Sequence, residues 1–224
     1  MKNVALILLL ISVNTHVQAI ALTPTILEFN IDGSQSAQIV VTNSSTDKLA
    51  LEANIYKLSF LESGLLKDRQ LDSESLMVFP LAALLKPGEK QLFRLQWTAN
   101  RNLIQSESYF VRFSQINFSG PEQTNNNLQP NIKFQLHYNA VVHVYTESHR
   151  PNVSMTVAPD GAVVVENTGS RFSYTSLLRF HPTSEVGEVT WSSLIGEHFI
   201  PPNSRLELST SHPLPSGEYD GRTP

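Results

Sequence analysis

The chain of 224 residues contains no cysteine. Disulfides, cysteine zinc sites and thiol nucleophiles are therefore excluded, and the fold must be stabilised by apolar cores alone. The sequence also lacks a Gly-x-Ser-x-Gly elbow, a glycine-rich phosphate loop and a His-Glu-x-x-His metal motif. Nothing in it indicates a catalytic residue, an enzyme or a cofactor.

Metal-ligand clusters and an excess of positive charge are lacking too. His137 and His143 would share one face of a strand, but six residues span roughly 20 Å, too far for one metal ion. We interpret the histidines after residue 19 as scattered surface residues: His137, His143, His149, His181, His198 and His212. The formal net charge of −4 argues against nucleic acid as the main partner.

Long hydrophobic runs are confined to the N-terminus. The run Val4–Val13 is too short to span a bilayer. Lys2 precedes it, and Val17-Gln18-Ala19 places small residues where a signal peptidase requires them. We therefore predict a secretory signal peptide at residues 1–19 and an exported chain that is not embedded in a membrane. The bacterial periplasm is the favoured location, with a eukaryotic secretory route as the alternative.

The rest of the sequence is a succession of short apolar segments separated by turn residues such as Asp32-Gly33 and Pro87-Gly88. Seven such segments in about 125 residues predict one antiparallel immunoglobulin-like sandwich. These predicted strands are Ala21–Phe29, Ala37–Thr42, Leu49–Leu58, Met77–Pro80, Lys90–Trp97, Tyr109–Ile116 and Ile132–Tyr145.

A second set of short strands follows the polar segment Thr146–Pro151, which we interpret as a linker. The predicted fold class is all-β, with two immunoglobulin-like β-sandwich domains at residues 20–147 and 148–224. No closing strand is predicted in the polar segment Ser216–Pro224. The second set is Val153–Val157, Ala162–Glu166, Tyr174–Phe180, Glu188–Trp191, His198–Ile200 and Arg205–Leu208.

The segment Asn131–Tyr145 carries bulky apolar residues at every second position, with polar residues between them. Because successive side chains of a strand point to opposite faces, it presents one apolar row. The row begins with Ile132, Phe134, Leu136 and Tyr138 and continues through Ala140, Val142 and Val144. A strand of this kind suits a protein that lends a strand to a partner. The other interpretation is that the row belongs to the protein's own core.

Several segments, in this order along the chain, resemble the PapD-like periplasmic chaperones of chaperone–usher pilus assembly. Weaker patterns of that family are Val163–Gly169 and Phe199–Ser204. The segments that carry the resemblance are Ile20–Phe29, Ile39–Ser45, Val78–Trp97, Ser108–Asn117 and Ile132–Tyr145. Within the family, the chain looks more like the divergent archaic and alternative branches.

The resemblance implies a function. Such chaperones insert a strand into pilus subunits that lack their last strand, and deliver them to an outer-membrane usher. The resemblance would make four residues the side chains that fill the gap in the subunit core: Ile132, Phe134, Leu136 and Tyr138. The implied partners are pilus subunits and the usher. Whether the free form self-associates through its exposed edge is left open.

The resemblance also shows a departure. Well-studied members hold the terminal carboxylate of the subunit with an arginine and a lysine. Matching the resembling strands places Ile26 and Val141 at these two positions. The anchor is therefore absent or moved. Arg94 is the best substitute and Arg112 the next, because a guanidinium binds a carboxylate through two bonds. A surface ion pair is the other interpretation of Arg94.

Two further functions compete with the chaperone. A pilin or adhesin built from two sandwiches would need a short donor extension at its mature N-terminus, whereas here the chain enters a strand almost at once. A carbohydrate-binding module would need exposed aromatic residues, and Trp97 and Trp191 both look like core residues.

Overall fold

The computed structural model describes residues 20–34, 36–99, 102–116, 135–182, 195–210 and 214–222. In these residues the regular structure is nearly all β, and none of their helices is long and apolar enough to cross a membrane. The predicted signal peptide, residues 131–134 and the predicted strand Glu188–Trp191 lie outside them.

The first domain is a sandwich of two sheets. One sheet has the order β1-β3-β8-β6; the other has the order β2-β10-β9-β4-β5, with β7 also paired to β4. The strands are β1 (Ile20–Thr23), β2 (Ile26–Asn30), β3 (Ser36–Asn43), β4 (Leu49–Phe60), β5 (Leu66–Leu71), β6 (Leu76–Phe79), β7 (Ala82–Leu85), β8 (Lys90–Trp97), β9 (Glu107–Gln115) and β10 (His137–Tyr145).

The core of this domain lies between the sheets and follows the alternation seen in the sequence. Phe93, Leu95 and Trp97 of β8 are buried, whereas the residues between them are exposed. Phe93 packs edge-on against Phe113 of β9, with ring centroids 4.8 Å apart. The five predicted strands between Ala37 and Ile116 are confirmed to within two residues at each end.

The predicted first strand is in fact two strands in different sheets. β1 pairs with β3, whereas β2 runs parallel to β10. Pro24 lies at the crossing, where the lack of a backbone N–H prevents it from continuing a ladder. β5 and β7 were not predicted from the sequence; every residue of β5 is exposed, so no alternation marks it.

The second domain has its own core and a five-stranded sheet of order β14-β17-β11-β12-β16, with a separate pair β13-β15. The predicted strand Tyr174–Phe180 is interrupted by a 3-10 turn at Thr175–Leu177. The strands are β11 (Val153–Val157), β12 (Val163–Asn167), β13 (Ser173–Tyr174), β14 (Arg179–Pro182), β15 (Phe199–Ile200), β16 (Ser204–Leu208) and β17 (Gly217–Arg222).

The C-terminal segment was predicted wrongly. β17 lies between β14 and β11 and pairs with both, although Ser216–Pro224 shows no apolar alternation. Only Tyr219 of this strand is buried. Gly221 fits because a Cβ there would lie 3.0 Å from the carbonyl oxygen of Val153. Backbone pairing and close approach therefore place this strand, and neither leaves a periodic signature.

Candidate functional site

The apolar row of β10 leaves the core of the first domain gradually. Ala140, Val142 and Val144 are completely buried between the two sheets. Tyr138 is partly buried against the same core, and the side chain of Leu136 is 51% exposed. The predicted donors Ile132 and Phe134 lie outside the described residues. The described part of the row thus passes from the core to the surface on one face of a single strand.

The backbone of β10 changes in the same direction. β9 pairs with it from His137 to Val144, whereas β2 covers the opposite side only from Val141 to Tyr145. The amide of Val141 donates to the carbonyl oxygen of Thr25, 2.8 Å away. Since alternate residues of a strand direct their backbone groups to one side, those of His137 and Asn139 point away from β9. We call this side of residues 137–140 the open edge; the described residues provide no strand that pairs with it.

A small cavity of about 110 Å³ lies beside the beginning of β10. Leu136 and Tyr138 line it together with Ile20 of β1 and Leu49 of β4. Asp47 and Lys48 of the β3–β4 turn lie at the same cavity. The gap between the two sheets is therefore incompletely filled where the apolar row reaches the surface.

The two positions to which the sequence resemblance assigns a cationic anchor are neighbours in the structure. Val141 and Ile26 are direct partners in the parallel pair of β10 and β2. Ile26 is half exposed, and Phe110 of β9 lies opposite Val141 on the same outer face of the sheet. This part of the face is apolar.

Arg94 lies on the other sheet. It belongs to β8, whose neighbouring residues Phe93 and Leu95 face the core, so the Arg94 side chain points outward into solvent. Its guanidinium donates to the hydroxyl of Ser36 at 3.2 Å. Arg94 is thus separated from the Ile26–Val141 pair by the thickness of the sandwich.

Arg112 shares the outer face with Val141. It lies directly opposite Asn139 on β10 and donates to the Asn139 side-chain oxygen at 3.1 Å. Its guanidinium also lies 4.6 Å from the ring centre of Tyr56. Arg112 is one same-face step along β9 from Phe110, which corresponds to roughly 7 Å. Of the two arginines named from the sequence, it is the nearer to the apolar pair.

A third cation near this place, Arg171, was missed by sequence reasoning. It comes from the second domain, forms an ion pair with Glu28 of β2 at 2.7 Å and stacks 3.7 Å above the ring of Tyr145. Glu28 and Ile26 are two residues apart on β2, so their side chains lie on the same face of the sheet. No local pattern could have revealed Arg171, because its position depends on how the two domains pack.

The interpretation of all histidines as surface residues was wrong for two of them. His143 is 1% exposed and bonds Ser108 and Tyr174; His149 is also buried and bonds the carbonyl oxygen of Leu103. Burial lowers the pKa of His143 to about 3. Both lie where the domains meet, a location that strand alternation cannot show. Among the described residues, no group of three or more histidine or acidic side chains could hold a metal ion.

No family model and no curated protein matches the chain. Solved structures match it over most of its length. The E. coli chaperone DraB has a TM-score of 0.57 at 12% identity, covering 92% of this chain and 97% of that one. The class 5 fimbriae chaperone CfaA has a TM-score of 0.58 at 12% identity, covering 92% and 100%. The chain has the fold of the pilus chaperones.

The same fold occurs in a complex of an archaic system. A chain of the CsuC–CsuE chaperone–tip adhesion subunit pre-assembly complex, from the Csu pili of Acinetobacter baumannii, has a TM-score of 0.53 at 14% identity. The match covers 85% of this chain and 90% of that chain. The pilus-chaperone fold confirms the predicted class, all-β with two immunoglobulin-like sandwiches. At these identities the likeness establishes the fold alone.

Proposed function

We propose that this protein is a periplasmic chaperone that binds pilus subunits by lending them the first half of β10, and that it hands them to an outer-membrane usher. It acts without a cofactor and without catalysing a reaction. The observation that carries the proposal is the apolar row of β10, which passes from the core to the surface along the open edge. The pilus-chaperone fold supports the same conclusion.

The open edge and the apolar row supply the two kinds of contact that strand addition requires. Backbone groups of His137 and Asn139 would pair with the edge of an unfinished subunit. Leu136 and Tyr138 would enter its core, and burying each is worth roughly 1.5–3 kcal/mol before the costs of association. Ile132 and Phe134 would extend this row by two further side chains.

The geometry favours a chaperone over the pilin or adhesin alternative. A pilin of this kind lacks its own last strand and receives one from elsewhere. In the described residues, the first domain has β10 paired on both sides along its second half, and the second domain has β17 between two strands. Each sandwich therefore supplies its own final strand, which is expected of the donor partner.

The test is capture of a subunit. The chain with a cleavable signal is co-expressed with pilus subunits from the same genome, and a one-to-one periplasmic complex is isolated. Replacing Phe134 and Leu136 together by serine should abolish the complex. Leu136→Ser alone should weaken it, because one of the buried side chains is lost, while the free protein keeps its thermal stability.

The matched control is Leu84→Ser. Leu84 of β7 is 61% exposed, comparable with Leu136, but its strand pairs with β4 and does not border the open edge. This variant should retain the subunit at the wild-type level. Retention of the subunit by the Phe134/Leu136 double variant would show that the row is not the donor.

The carboxylate anchor forms a second part of the proposal. We assign it to Arg112 ahead of Arg94, because Arg112 shares the outer face of the sheet with Val141 and Ile26. Its bond to Asn139 and its stacking on Tyr56 hold the guanidinium over that face. A subunit lying on β10 would bring its terminus within reach of this face and not of the opposite sheet.

A further inference from the structure

The two domains meet around one buried histidine. The ring of His143, on β10, lies 4.1 Å from that of Phe172 and 4.9 Å from that of Phe199, in near-parallel stacks. Tyr174 approaches it edge-on at 5.6 Å. All three of these aromatic rings belong to the second domain. We call His143 and these rings the aromatic joint.

Both nitrogens of the imidazole have partners inside the joint. Nδ1 lies 2.8 Å from the hydroxyl of Ser108 on β9, and Nε2 lies 2.8 Å from the hydroxyl of Tyr174. A neutral imidazole donates through one nitrogen and accepts through the other, so it matches one donating and one accepting hydroxyl. A second ring proton would leave two donors facing each other at one of these contacts unless that hydroxyl turned.

The charged groups around the joint are bonded to other residues. Glu28, the register partner of His143 on β2, is paired with Arg171, and Glu107 beside Ser108 is paired with Lys57. Glu197, near Tyr174, accepts from the hydroxyls of Thr175 and Ser176. An imidazolium in the joint would thus be surrounded mainly by aromatic rings, because the nearest carboxylates are already bonded to other residues.

We propose that proton uptake by His143 opens the joint between the two domains. The neutral ring fits the aromatic surroundings and its two hydroxyl partners, whereas the charged ring is better accommodated in water. Acidification therefore favours any arrangement in which the second domain has moved away from β10. The joint acts as a proton-sensitive hinge that is independent of the open edge.

The sign and size of the effect follow from linkage. Burial lowers the pKa of His143 to about 3 in the closed joint, while a ring released to water has its ordinary value near 6.5. The neutral ring stabilises the closed form fully above the ordinary pKa of histidine. This stabilisation is lost progressively as the pH falls toward 3. Between pH 7 and pH 5 the open-to-closed ratio should rise about 25-fold.

Backbone amides that bond across the joint report its opening. The amide of Phe172 donates to the Ser106 hydroxyl at 2.9 Å, and the amide of Ser106 donates to the carbonyl of Ser170 at 2.8 Å. Hydrogen exchange at pH 7 and pH 5, corrected for intrinsic rates, gives the protection of these amides. The amide of Ala53, bonded to Leu81 inside the first domain, serves as the reference.

We expect the protection of the joint amides to lie below that of Ala53 at pH 7 and to fall about 25-fold between pH 7 and pH 5. His143→Phe, which keeps a ring but cannot titrate, should remove this fall, and His143→Gln provides the same test with a polar side chain. His149→Gln is the matched control, because His149 is also buried near the boundary and should leave the response intact. Joint amides as strongly protected as Ala53 would indicate that they exchange only when the whole chain unfolds, and would overturn the proposal. An unchanged response in both His143 variants would overturn it too.

Discussion

The two halves of β10 differ in almost every respect except their sequence pattern. The second half, Val141 to Tyr145, is paired on both sides and directs Val142 and Val144 into a closed core. The first half, His137 to Ala140, is paired on one side only, and its large apolar residue Tyr138 is only partly buried, although Ala140 is completely buried. Just before it, Leu136 is half exposed.

This difference shows that alternation alone does not decide whether a row of side chains is a core or a binding surface. The period of two is the same in both halves, because it reflects only the pleat of the strand. What differs is the neighbouring strand: β2 joins the sheet after Pro24 and covers the second half, while β1 departs to the other sheet. The crossing near Pro24 therefore sets the length of the open edge.

Proline substitutions should give the largest difference between the two sides of β10, the side paired with β9 and the open edge. Ala140→Pro removes an N–H directed at β9 and should destabilise the domain by about 1–3 kcal/mol, because a buried backbone acceptor on β9 is left unsatisfied. Asn139→Pro removes an N–H directed at the open edge and should cost much less, while weakening subunit capture. Chemical denaturation and subunit pull-down measure the two effects.

The control is Asn139→Ala, which keeps the amide and loses only the side chain. It should capture the subunit better than Asn139→Pro does. Equal destabilisation by the two prolines would mean that the edge at Asn139 is paired in solution.

Alanine substitution along the row should show a smaller contrast. Val142→Ala removes completely buried methyl groups and should cost about 2 kcal/mol of unfolding free energy. Leu136→Ala should cost less than about 0.5 kcal/mol, because the side chain is half exposed. Urea titration of both variants measures this, and a large loss for Leu136→Ala would place Leu136 in the protein's own core.

Acidification should distinguish the two halves of β10, because each half contains one histidine, His137 or His143. Because burial lowers the pKa of His143 to about 3, the unfolded chain binds the proton more readily, and stability falls as the pH drops below the ordinary histidine range. From pH 7 to pH 5.5 this residue should account for about 1 kcal/mol of lost unfolding free energy. His143→Gln should flatten that part of the profile, with His137→Gln in the first half as the control.

The smallest expected effect on stability concerns the outer face. Arg112→Gln should reduce subunit affinity about tenfold, as expected for loss of one charge-assisted contact, with little change in thermal stability. Arg94→Gln on the opposite sheet should leave capture unchanged. The reverse ranking in a binding titration would move the anchor to β8.

Much of the fold could be read from the sequence where one face of a strand is buried. The bounds of β8 and β11 were predicted correctly, because their buried and exposed residues alternate strictly. β5 and β17 could not be found in this way. The first is exposed throughout, and the second is positioned by backbone pairing around Gly221 rather than by apolar side chains.

The candidate site was only partly accessible from the sequence. The apolar row and its outward continuation follow from local alternation, but the open edge depends on where β2 joins β10. Arg171 and His143 owe their surroundings to the packing of one domain on the other. Such long-range contacts leave no spacing that a single sequence can reveal.

The position of β17 has a consequence for the order in which the molecule matures. A chain that emerges from the ribosome with its N-terminus first has every described strand of the first sandwich before residue 146. The sheet of the second sandwich is complete only after β17 has emerged, because β17 pairs with both β14 and β11. β10 is therefore complete while the sheet of the second domain still lacks a strand.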